Sequence, residues 1–146
     1  MCLIAVVEAP GIPRDRAGTV SQGFKSSPTL QVRAVRVAKQ HQGSRFELSG
    51  SGNDCACSLL SDVSNDSKPI YSLHGTGLQS VTEALEYLIA ESADSEITLE
   101  IAYVQGAWAA RRRVPLRRLT VKQAIAELGR GIPGTGMHVK LFHNAG

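Results

Sequence analysis

A chain of 146 residues, 42% hydrophobic and 20% charged, suits one domain with a true core and is too short for two comfortable ones. Its three cysteines are an odd count that favours a reduced, cytoplasmic protein, and no apolar run approaches the roughly 20 residues that span a bilayer. The net charge of +3 hides a division by sign. From Pro69 to Ala110 there are six acids and no Lys or Arg; from Arg111 to Lys122 there are six bases and no acid. Blocks of one sign often mark an interaction surface.

Cys2–Glu8 is the first predicted strand, stopped by Ala9-Pro10-Gly11-Ile12-Pro13. It ends at Glu8 with no basic region ahead of it, unlike a secretory signal. Residues 14–28 are polar, lack periodicity and read as a long loop. Leu30, Val32 and Ala34 alternate with polar residues, and Phe46 and Leu48 do so after a turn near Gln42-Gly43, so the two segments are expected to form a hairpin. Asp54–Leu60 and Ile70–Leu73 are further strand candidates, separated by the polar, turn-rich Ser61–Lys68.

Ser80-Val81-Thr82-Glu83 and Thr120-Val121-Lys122-Gln123 both fit the capping box, in which a hydroxyl and an acid or amide three residues on satisfy free N–H groups reciprocally. The first is expected to open a helix with Val81, Ala84, Leu85, Leu88 and Ile89 on its apolar stripe. The second opens one with Val121, Ala124, Ile125 and Leu128, ended by Gly129 or Gly131 and kept from resuming by Pro133. Between them Ile97, Leu99, Ile101 and Tyr103 alternate strictly, and Gln105-Gly106 sits where a hairpin turn belongs. That turn would pair Tyr103 with Trp108, Ile101 with Ala110 and Ile97 with Val114. It would also set Glu100 opposite Arg111, Glu96 diagonal to Arg113, and Arg112 opposite Leu99 on the apolar face. Met137–Phe142 is the last strand, with Met137, Val139 and Leu141 on one side and His138, Lys140 and Phe142 on the other.

These elements predict an α+β fold in a single domain over residues 1–146. Its one sheet has five to seven strands and two helices on one face. The second half follows the split βαβ, ferredoxin-like pattern, with N-terminal strands added.

Candidate chemistry is sparse. Cys55 and Cys57, two apart on a strand, share a face with Cα atoms about 6.6 Å apart, and with His74 or Cys2 they are the donors available for a metal or redox site. No second cysteine pair or spaced histidine pair completes such a site, so small hydrophobic roles are expected for both thiols. Met1-Cys2 resembles the start of class II glutamine amidotransferases, whose nucleophile is that cysteine. Their catalytic domain is considerably longer, and Cys2 reads as a core-facing strand residue. Gly129-Arg-Gly131-Ile-Pro-Gly134 has dinucleotide-motif spacing but follows a helix and precedes a strand, which makes it a helix exit. No triad, carboxylate pair or cofactor motif remains, so no catalytic residue and no cofactor is expected.

The expected function is therefore a small, soluble, non-enzymatic protein-binding domain of inhibitor or immunity type, with Trp108, Arg111, Arg112 and Arg113 as its contact residues. Aromatics and arginines dominate interface energetics. The alternatives are a thiol-based metal or redox site at Cys55 and Cys57, and nucleic-acid binding through the arginines of 111–118. A membrane partner is not expected.

Overall fold

An alternating strand has an apolar side that must be covered, and several such strands in one sheet must show that side to the same layer. The computed structural model describes residues 2–12, 30–34, 45–50, 60–62, 70–73, 75–104, 115–133 and 136–143. In chain order the elements are β1 (Cys2–Glu8), β2 (Leu30–Ala34), β3 (Arg45–Gly50), β4 (Leu60–Asp62), β5 (Ile70–Leu73), α1 (Gly75–Glu91), β6 (Glu96–Val104), β7 (Arg117–Thr120), α2 (Val121–Arg130), β8 (Ile132–Pro133) and β9 (Met137–Phe142). Six strands form one mixed sheet in the order β2-β3-β1-β6-β9-β7, and β4, β5 and β8 pair in a smaller sheet. All pairs are antiparallel except β7 with β9. The fold is α+β, as the sequence predicts.

The register stacks the apolar residues in rows across the sheet. Phe46, Val7, Leu99 and Val139 are successive neighbours on four strands, and Leu48, Ala5, Ile101 and Met137 make the next row. Ile97, Leu141 and Leu119 make a third. This parity joins the helix stripes in one core, with Val81, Ala84, Leu85, Leu88 and Ile89 from α1 and Val121, Ala124 and Leu128 from α2. Both helices therefore cover the same face. Each large aliphatic side chain buried this way contributes about 1.5–3 kcal/mol.

The two helix starts behave differently. At α2 Thr120 is the N-cap: its hydroxyl accepts from the Gln123 N–H at 3.1 Å, and the Gln123 side chain accepts from the Thr120 N–H at 2.9 Å. The helix ends at Gly131, which adopts φ 118 and donates its N–H to the Glu127 carbonyl. At α1 the expected cap, Ser80, is buried inside the helix, which begins at Gly75. Here the Thr82 hydroxyl donates to the Leu78 carbonyl at 2.7 Å, and the Gln79 amide donates to Glu83 at 3.4 Å. Both are contacts one helical turn apart, made by residues that the sequence places before or at the start of the helix. Leu78 also packs on the core, which favours the extra turn over a stop at Gly77.

The second half also departs from the split βαβ pattern. That pattern puts a third strand between two parallel ones, whereas β7 and β9 are direct neighbours joined through α2 and β8. The strand leading into α1, β5, pairs with β4 and β8 outside the larger sheet. The expected hairpin partner of β6 meets a simpler obstacle, because a strand has two edges. From Thr98 to Ile101 both edges of β6 are taken, one by β1 and the other by β9. Leu99 has Val7 and Val139 beside it, which leaves no place for the expected Arg112. Residues 105–114 themselves lie outside the described residues, as do 51–59, with most of the strand expected at Asp54–Leu60.

Where β1 ends, the chain docks on the turn between α1 and β6. The Ala93 N–H donates to the Pro10 carbonyl at 2.8 Å, and Ile12 is buried. Gly11 stands there at φ 84, where a Cβ would lie 2.9 Å from the Ala93 Cβ. Gly11→Ala is expected to cost about 1–3 kcal/mol, since it combines a left-handed backbone with a clash. Urea denaturation checks this, and a midpoint equal to that of the unsubstituted protein would contradict the docking.

Candidate functional site

The sheet has a second parity, turned away from the helices, and it carries the charge. Across β3, β1, β6, β9 and β7 one row reads Arg45, Glu8, Thr98, Lys140, Arg118, and its neighbour reads Glu47, Val6, Glu100, His138. The β1 end of this face is partly closed. Val6 is buried between Glu47 and Glu100, and Arg45 is half-buried with a guanidinium nitrogen 3.6 Å from Glu8. The β9–β7 end is more open, and there the charged groups form one connected cluster.

Glu96 lies at its centre. One carboxylate oxygen accepts from Arg118 at 2.9 Å and the other faces the Lys140 ammonium at 3.3 Å, so a single side chain of β6 ties down two strands beyond it. To reach Glu96, the Arg118 guanidinium crosses the Phe142 ring at 5.6 Å from its centroid, a cation–π distance. Arg118 stays 63% exposed while held at both points. On the other side of β7, Arg117 makes a two-pronged pair with Glu127 of α2, at 3.1 and 2.7 Å, which fastens the strand to the helix. Just before β7, Pro115 is exposed and Leu116 is 53% exposed, the large apolar side chain left in solvent among the described residues.

Both carboxylates ionise more readily than usual. Glu96 is held below the ordinary 4.5 first by its bond from Lys140, with the charges of Arg118 and Lys140 adding to it. Glu127 is held down first by the bond from Arg117, whose own pKa is raised by the same contact. The Glu96 cluster fixes Arg118, Lys140 and the Phe142 ring, and the separate Glu127 pair fixes Arg117.

Of the residues singled out from sequence, Trp108, Arg111, Arg112, Arg113, Cys55, Cys57 and His74 lie outside the described residues. Cys2 is in β1, as expected, and pairs with Val104; its side chain lies outside those described. Glu96, expected diagonal to Arg113, meets Arg118 and Lys140; Arg113 lies outside the described residues. The grouping of Glu96, Lys140, Phe142 and Arg118 escaped sequence reasoning. Its one signal was the shared parity of Lys140 and Phe142 in the last strand. Among the described residues, no three of His, Cys, Asp and Glu are placed to hold a metal, and no helix is long and apolar enough to cross a membrane. Compared with known proteins, the chain matches no family model, no curated sequence and no solved structure.

Because Glu96 and Glu127 have lowered pKa values in the fold, their contribution to stability is present above about pH 4.5, the unfolded value, and is lost as pH falls through the folded values. The melting temperature of the unsubstituted protein is expected to drop further between neutral and strongly acid pH than that of an E96Q/E127Q double variant. Equal drops would show that the two clusters do not form.

Proposed function

We propose that this chain is a small non-enzymatic protein-binding domain, of inhibitor or immunity type, whose contact surface includes the open β9–β7 end of the sheet. The observation that carries the reading is Arg118, exposed yet fixed over Phe142 and tied to Glu96. Arginines and aromatics supply most hot-spot energy. A side chain already held in place also loses less freedom when it binds, which is what turns contact area into affinity. Leu116 adds an apolar group close by in the chain, and Trp108 and Arg111–Arg113 precede it in the same connection. Nucleic acid is the less favoured partner. Arg117 and Arg118 each face a carboxylate, so their attraction for phosphate is partly cancelled.

Affinity capture from native lysate with the full chain tests this reading. A stoichiometric protein is expected on the unsubstituted chain and is lost with Arg118→Glu, while the circular dichroism melt of the variant stays within a few degrees. Absence of any stoichiometric protein, or retention of nucleic acid in its place, would remove the reading.

A further inference from the structure

Among the described strands, β7 is the last of the larger sheet. β9 occupies one side of it, and no described strand occupies the other. In a parallel pair only alternate residues direct their backbone N–H and C=O toward the neighbour. The intervening residues of Arg117–Thr120 therefore turn theirs outward, apart from the Thr120 N–H, which the Gln123 side chain takes; this is a template for a further strand. Proteins commonly guard such an edge with shortness, proline and charge. β7 is short and follows Pro115, so the first two safeguards are present. Its charges go further than a safeguard needs to, because they have one sign and sit on both faces. Leu119 faces the core beside Leu141, which puts Arg117 on the helix side and Arg118 on the opposite side. Both are at least half exposed.

We propose that β7 takes an extended acidic segment of a partner protein as an added strand; this rests on the protein-binding reading above and specifies its mode. On such a strand successive side chains alternate faces, so carboxylates of one parity meet Arg118 and those of the other meet Arg117. Arg118 has the larger capacity for this, since Arg117 already gives both terminal nitrogens to Glu127. A guanidinium has five N–H donors, and Arg118 gives Glu96 a bond through one nitrogen. The wider charge agrees, since residues 115–143 contain five bases and one acid. A second copy of the chain fits poorly, because β7 against β7 sets arginines beside arginines. A nucleic acid lacks the peptide groups that an open edge pairs with.

The test uses the full chain and a fluorescent peptide of repeated Thr-Glu-Glu, which carries carboxylates on both faces of a strand, read by anisotropy at low salt. Two versions N-methylated at alternate residues, one per edge, keep the charge but remove strand-pairing donors. Binding of the parent peptide is expected, with a loss on the order of tenfold in one N-methylated version and not the other. Binding should also be lost to Arg118→Glu and be absent for a threonine–lysine peptide. No binding of the parent peptide, equal binding of both N-methylated versions, or tighter binding of a short oligothymidylate would overturn the proposal. If the peptide fails while capture of a partner still depends on Arg118, strand addition falls and the binding reading stands; if both fail, both fall.

Discussion

A β-strand offers two edges, and what occupies the edges of β6 decides the rest of this fold. β1 takes one and β9 the other, so β6 is an interior strand whose inward residues, Ile97, Leu99 and Ile101, are buried beneath the helices. Interior position brings the parallel pair β9–β7 to one end of the sheet and leaves β7 outermost among the described strands. It also puts Glu96 within reach of cations on the two strands beyond. The same constraint thus sets the core on one face and assembles the charged cluster on the other.

Sequence patterns proved reliable where the cause was local. Alternation identified the bounds of β9 and the inward residues of β3 and β6, because period two is a property of the strand itself, and the Pro-Gly break after Glu8 bounded β1. The Thr120 box is a helix start for the same reason, since hydroxyl, amide and both N–H groups lie within one turn. Ser80 matches the same local pattern and is not a start, because Leu78 packs on the core and draws the helix back to Gly75. Tertiary burial outweighed the glycines at 75 and 77.

Strand partnership was the part that sequence concealed. Alternation says which residues of β6 face inward, not which strand lies beside them. A Gln-Gly step after one alternating run and before another looked sufficient for a hairpin, yet β1, at the start of the chain, supplies one neighbour and β9 the other. The charges were legible in part. Opposite blocks at 83–100 and 111–122 suggested pairing between them; Glu96 does reach the second block, at Arg118, and the last strand adds Lys140. The charged β9–β7 end was legible only as a basic region of the chain; the stacking of Arg118 on Phe142 depends on the parallel register of β7 and β9.

The pairing of β6 is accordingly the point on which the account stands, and cross-strand nuclear Overhauser effects in labelled protein test it most directly. Contacts of Ile97 with Leu141, Leu99 with Val139 and Ile101 with Met137 are predicted, together with those of Leu99 with Val7. Contacts from Ile97 and Ile101 to Val114 and Ala110 in their place would contradict it, and would remove both the open edge at β7 and the surface built on it.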